Sequence, residues 1–239
     1  MTRVTFIHLD LGIGGAESLI IAMASALLPP ASSVKIYTTR CDADHCYDEV
    51  KKPSGALAQS VCIRGAFLPA TVFNKFTAIM SYIRTLYLTI AVIVDALFNH
   101  YFKHNPLPDV IVVDVLPAPL PLLSALLPNT ALLYYCHFPD KYLVRNTVNG
   151  VVVSKPSLLR SLYRLPLDSL EAFCTKHATI TAVNSNFTKD TFTAAFPAIT
   201  TPPTVLYPAI NLEQFIPPVS SATKQARLDQ RQQIVSFNR

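Results

Sequence analysis

The chain has 239 residues, room for one large domain or for one domain and the start of a second. Hydrophobic residues make up 51% and charged residues 15%, and the mean hydropathy of +0.34 is high for a freely soluble enzyme. The net charge of +5 is spread with no run of five Lys or Arg and no nucleic-acid motif, which excludes a nucleic-acid partner and favours an anionic membrane surface or phosphorylated ligands.

Five cysteines, an odd number with no CxxC, read as thiols in a reducing compartment. The opening residues are too short and mixed for a signal peptide. The Asn186-Phe187-Thr188 sequon is then accidental in a cytosol-facing domain.

Val4–Leu9 is an apolar run suited to a strand covered on both faces. The turn Gly12-Ile13-Gly14-Gly15-Ala16-Glu17 follows, and Ala16–Leu28 reads as a helix ended by Pro29-Pro30. Val34–Thr38 is a second strand, so the unit is β-α-β and the sheet is parallel. The turn is no dinucleotide fingerprint, because Glu17 stands where the third glycine belongs, and it lacks the Lys and Ser/Thr of a P-loop. What remains is a small-residue bend at a helix N-terminus, where Gly14 and Gly15 allow a diphosphate or sugar close to the backbone, or form a plain tight turn.

Residues 41–70 read as loop. Cys41, His45 and Cys46 lie close together there, but their spacing suits free thiols better than a metal site, and no metal is expected. Thr71–Lys103 reads as helix, with an uncharged stretch Leu86–Val94 between Arg84 and Asp95. That stretch is far shorter than the ~20 residues of a spanning helix. Two readings compete: a helix packed on the sheet, or one that dips Leu86, Tyr87, Ile90 and Ile93 into a bilayer with Lys75, Arg84 and Lys103 near headgroups.

Asp109–Asp114 is a strand ending in an acid, Pro117–Leu127 a helix interrupted by proline, and Ala131–Cys136 a strand that delivers His137-Phe138-Pro139-Asp140 at its carboxyl end. Ligands of open α/β sheets bind beyond those ends, which places Asp10, Asp114 and His137 on the rim of the glycine turn. Imidazole there can hydrogen-bond a sugar hydroxyl or stabilise a charge. Lys155–Lys176 is amphipathic and kinked or broken at Pro166, Thr179–Val183 is a strand, Ser185 or Asn186 caps the next helix, and Thr204–Leu206 is a last strand. Residues 1–210 thus form an α/β domain with a mostly parallel sheet flanked by helices. Residues 211–239 read as a linker followed by one strand, Ile234–Phe237, of an incomplete second domain.

Five motifs in order, HLDLGIGGAE, YYCHFPD, LYRLPLDSLE, AVNSNFT and VLYPAIN, closely resemble the family 4 glycosyltransferases of GT-B fold, and within them the mannosyltransferases of dolichol-linked oligosaccharide assembly. The resemblance spans essentially the whole chain. It implies an N-terminal Rossmann-like domain for the lipid-linked acceptor and a C-terminal domain for GDP-mannose, at the cytosolic face of the endoplasmic reticulum membrane. It implies retaining transfer of mannose from GDP-mannose to a dolichol-diphosphate-linked acceptor, α-1,3 and then α-1,6, with no cofactor and no metal. Gly14 and Gly15 match the glycines beside the donor diphosphate, Arg239 the arginine that binds it, and His137, the catalytic-site candidate, the histidine touching the transferred sugar. Asp10, Asp114, Asp140, Asn184 and Ser185 fall on the acceptor-side cleft.

The donor domain's paired glutamates are absent, since only Glu17, Glu49, Glu171 and Glu213 occur. The expectation is therefore half of an enzyme, with little turnover alone. The alternative is a non-catalytic, membrane-associated acceptor-binding subunit of a split glycosyltransferase, with a donor-domain subunit or other mannosyltransferases as partners. An NAD-type oxidoreductase fails on the missing third glycine and ribose acid.

Overall fold

A computed structural model describes residues 1–28, 32–72, 76–143, 147–148, 151–152 and 158–209. Nine strands lie among them: β1 (Thr2–Ile7), β2 (Ser32–Thr38), β3 (Val61–Ile63), β4 (Val110–Asp114), β5 (Ala131–Cys136), β6 (Thr147–Val148), β7 (Val151–Val152), β8 (Ile180–Val183) and β9 (Thr204–Val205). Seven pair in parallel in the order β3-β2-β1-β4-β5-β8-β9, and β6 and β7 make a separate hairpin. The helices are α1 (Gly15–Leu27), α2 (Thr77–Lys103), α3 (Leu120–Leu126), α4 (Asp140–Leu143), α5 (Leu158–Thr175) and α6 (Asn186–Ala195). Met1–Pro208 forms one compact unit.

Side-chain alternation explains the layers. Val4, Phe6, Ile36 and Val112 point to one face and bury α1 through Ile20, Ile21 and Ala24. Their neighbours Ile7, Tyr37, Ile111 and Val113 point to the other, against Leu88, Val92 and Ile93 of α2 and Leu120 and Leu123 of α3. A parallel sheet covered on both faces needs such near-continuous apolar strands. The expected α/β architecture, a parallel sheet flanked by helices, is what the chain adopts.

Three local expectations are corrected. The 41–70 segment is not all loop: Val61–Ile63 pairs with β2 at the sheet edge. It is only three residues long, too short for periodicity to reveal it. Helix α5 continues through Pro166, so of the expected kink or break the break does not occur. Ile93, expected at a bilayer, is 5% exposed in the core beside Val92. Lys75, the strand expected at 234–237 and Arg239 lie outside the described residues.

Strand order places the site. The chain winds outward from β1 to β2 and β3, then returns to β1's other side to lay down β4, β5, β8 and β9. The connections therefore diverge between β1 and β4, and a crevice opens beyond their carboxyl ends.

Candidate functional site

His8 follows the last residue of β1, and Asp114 ends β4. Ile7 pairs with Val113, so the next residues on each strand meet across the switch point. His8 Nδ1 is 2.9 Å from both carboxylate oxygens of Asp114. His8 is 3% exposed and the Asp114 side chain is fully enclosed. The other ring nitrogen of His8, Nε2, has no hydrogen-bond partner and faces Glu17 Oε1 at 3.7 Å.

On the far side of Asp114, His137 Nε2 faces Oδ2 at 3.5 Å, longer than a formed hydrogen bond. One line of groups therefore runs His137, Asp114, His8, Glu17. It reaches the glycine turn as well, because a Cβ on Gly14 would stand 2.3 Å from Glu17 Oε2. His137 and the bend share a rim, as the strand ends required.

The electrostatics follow from burial and pairing. Burial pulls the His8 imidazole down, but the charge and hydrogen bond of Asp114, with the facing Glu17 carboxylate, outweigh it and carry it up to about 10. Burial works against the Asp114 carboxylate too, yet His8 and His137 hold it below the usual carboxylate range. Contact with His8 depresses Glu17 likewise. At neutral pH a cation sits between two carboxylates.

The surroundings are built to keep this arrangement. Val115, directly after Asp114, has φ 62, and the N–H of Leu116 donates to the Asp114 carbonyl at 2.7 Å, closing a three-residue turn. A β-branched residue in left-handed conformation is strained, and such strain gathers at sites. Asn184 Nδ2 donates to the His137 carbonyl at 3.0 Å. Ser185 caps α6, accepting from the Thr188 N–H at 3.2 Å. The carboxylate of Glu171 receives the N–H groups of Asp140 (2.7 Å) and Lys141 (3.1 Å), pinning the segment that follows His137. Burial pushes Glu171 up to about 7, against the pull of those two bonds.

Of the residues expected here, Asp114, His137, Gly14 and Asn184 are brought together. Ser185 serves as a helix cap, and Asp140 offers its backbone to Glu171. Gly15 stands in open space, with nothing within 4 Å of an added Cβ. Asp10 is tied to Arg84 of α2 and bonded by the Thr39 hydroxyl at 3.0 Å, with its side chain 41% exposed. Arg84, expected near headgroups, is buried at 4% in that ion pair. Tyr87 packs edge-on against Phe67 at 5.4 Å. Sequence reasoning passed over His8 and Glu17. The signal for His8 was a lone imidazole closing an apolar run, and Glu17 was weighed only as a departure from a glycine pattern.

Among the described residues no group of three or more His, Cys, Asp or Glu is placed to hold a metal ion. A cavity of about 450 Å³ lies elsewhere, beneath the second half of α2, lined by Arg3, Lys35, Tyr37, Val92, Ala96 and Asn99. It contains none of the residues of the rim.

A parallel sheet of this order, with charged groups gathered at its switch point, defines a Rossmann-like α/β domain. No protein-family model matches the chain. It is similar to alpha-1,3/1,6-mannosyltransferase ALG2 of Kluyveromyces lactis (42% identity over 212 residues, covering 89% of this chain and 38% of that protein). The Saccharomyces cerevisiae protein of that name is 39% identical (87% and 37% covered), and the Schizosaccharomyces pombe protein 34% identical (99% and 42%). By sequence, then, the chain is similar over most of its own length to the alpha-1,3/1,6-mannosyltransferases, and it spans about two-fifths of the length of these curated relatives. Among solved structures, the Phytolacca americana UGT2 complex with UDP-2fluoro-glucose and pterostilbene has a TM-score of 0.46 at 14% identity, covering 88% of this chain and 53% of that one. A ugt transferase from Siraitia grosvenorii in complex with UDP has 0.44 at 15%, covering 93% and 54%.

Proposed function

We propose that this chain is the N-terminal, acceptor-side part of a GT-B mannosyltransferase. It acts with GDP-mannose on a dolichol-diphosphate-linked oligosaccharide, adding an α-1,3 and then an α-1,6 mannose at the cytosolic face of the endoplasmic reticulum membrane. The observation that carries this reading is the line of His137, Asp114, His8 and Glu17 ending at the glycine turn. It supports a pocket in which His137 meets a sugar and the turn meets a diphosphate at the start of α1. Likeness to named mannosyltransferases supports the donor and acceptor classes.

Membrane attachment is part of the proposal. Ile79, Ile83, Leu86, Ile90, Val94 and Phe98 form an exposed stripe on α2, while Leu88 and Val92 face the core. Among the described residues this is the one helix long and apolar enough to cross a membrane. Because its other face is in the sheet's core, the reading is a helix that lies along a bilayer with its outer stripe immersed.

The test is a transfer assay with GDP-mannose and a lipid-linked acceptor. One arm uses this chain and one uses a chain of the relatives' full length. The longer chain is expected to turn over and this one to show little, because the leaving diphosphate needs charge stabilisation from a second domain. His137→Gln in the longer chain lowers kcat/KM about tenfold or more, the worth of one hydrogen bond at the reacting sugar. No product from the longer chain, with acceptor still bound, would replace this reading by a binding-only subunit.

A further inference from the structure

We propose that His8 is a positioning residue: wedged between two carboxylates, it clamps Asp114 so that His137 keeps its proton on Nε2 and turns a bare Nδ1 toward the cleft. This deepens the functional reading above and rests on His137 lining the saccharide pocket.

The geometry carries it. Both nitrogens of His8 face carboxylates, Nδ1 at 2.9 Å from Asp114 and Nε2 at 3.7 Å from Glu17. A ring placed so carries protons on both nitrogens. Asp114 has no exposed side-chain surface. A carboxylate that deep stays ionised only beside a cation, and His8 supplies it. The ionised Asp114 then presents Oδ2 to His137 Nε2 at 3.5 Å. That nitrogen is buried with no other partner, so its proton points at Asp114. At that distance the bias on the tautomer is electrostatic: a proton on Nε2 faces the ionised carboxylate, whereas a lone pair there would face an anion.

His137 itself is held from other directions. Its ring lies 4.9 Å from that of Tyr135, and its carbonyl accepts from Asn184. Its side chain is 26% exposed while Nε2 is buried, and the ligand is assigned to the opposite ring nitrogen, Nδ1. A bare imidazole nitrogen accepts a hydrogen bond and repels an anion. His137 therefore recognises a hydroxyl of the sugar, and the glycine turn is left to the diphosphate.

The test reads the ring directly. The chain is prepared with 15N-labelled histidine, and the His137 resonances are assigned by their loss in His137→Gln. At pH 7 the wild type is expected to show a protonated Nε2 and an unprotonated Nδ1. His8→Gln, in a protein that still melts cooperatively, is expected to average the two signals. A proton on Nδ1 in the wild type would overturn the proposal, as would an unchanged His137 signature in folded His8→Gln. Should His8→Gln not fold, Glu17→Gln is expected to move the signature in the same direction by less, and no movement overturns the clamp. A separate titration with GDP-mannose and acceptor keeps the two readings apart. The expected tautomer with binding unaffected by His137→Gln supports the clamp and removes only the saccharide role.

Discussion

His8 and Asp114 are 106 residues apart in sequence, yet the imidazole Nδ1 stands 2.9 Å from both oxygens of the carboxylate, with both groups buried. Removing one member of such a pair strands the other charge. His8→Leu or Asp114→Leu is expected to cost about 3–5 kcal/mol, and the double variant clearly less than the sum of the two. Urea denaturation of the four proteins measures the cycle. Additive costs would mean that the two groups do not interact.

The pair also makes stability depend on pH. His8 is raised from 6.5 to about 10, so its contribution is complete below pH 6.5 and is lost as pH climbs toward 10. Asp114 is lowered, so its contribution is present above about 3.8 and is lost in stronger acid. Glu171 is raised from 4.5 to about 7, and its contribution is lost across that interval as pH rises. Unfolding free energies taken from pH 4 to 10 are expected to fall in two stretches. Glu171→Gln flattens the lower stretch, and His8→Gln flattens the upper one. A rise in stability between pH 7 and 10 would contradict the assignment.

The two glycines of the turn should part company. Gly15→Ala meets no neighbour within 4 Å, so the melting temperature holds or rises, by up to about 1 kcal/mol of stability. Any loss of GDP-mannose or diphosphate binding in that variant then reports a ligand lying against the turn. Gly14→Ala drives a methyl into the Glu17 carboxylate, and that side chain must swing away from His8. It is expected to lower the pH 6.5–10 slope as well as binding.

We propose that Asp10 serves the scaffold. Its partner Arg84 is buried and also donates to the Thr39 hydroxyl. Asp10→Asn leaves a buried guanidinium short of its counter-charge, and a loss of about 2–3 kcal/mol is expected with ligand affinity unchanged. Calorimetric melting and a binding titration on the same sample separate the two effects. A selective loss of binding would return Asp10 to the site.

Val115 offers the reverse experiment. Asn tolerates the left-handed region better than a β-branched residue, and the side chain is 42% exposed, so little burial is forfeited. Val115→Asn is expected to gain about 1 kcal/mol. A loss of stability would show that the valine's contacts outweigh its backbone strain.

The outer stripe of α2 is tested by liposome flotation. Leu86→Asp and Ile90→Asp, both on the exposed face, are expected to reduce association with anionic vesicles while leaving the melting temperature within a degree or two. Equal flotation would remove this face from membrane contact. Ile93→Asp serves as the opposite control, since it buries a charge and destabilises the protein.

By itself the sequence determined the layers and the rim. The apolar runs at Val4–Leu9, Asp109–Asp114 and Ala131–Cys136 are local features, and parallel strands joined by helices place their carboxyl ends together. That was enough to put Asp114, His137 and the glycine turn on one edge. The ordered motifs carried the resemblance for the same reason, being contiguous stretches of chain.

Only the tertiary structure decided which side chains on that rim touch. β1 and β4 become neighbours through a crossover that no local pattern encodes, and this adjacency makes a buried ion pair of His8 and Asp114. The same packing turned Asp10 away to Arg84 and Ile93 into the core, because helix α2 lands on that face of the sheet. Burial then set the charges: an imidazole and a carboxylate that titrate ordinarily in an open chain hold each other ionised once water is excluded.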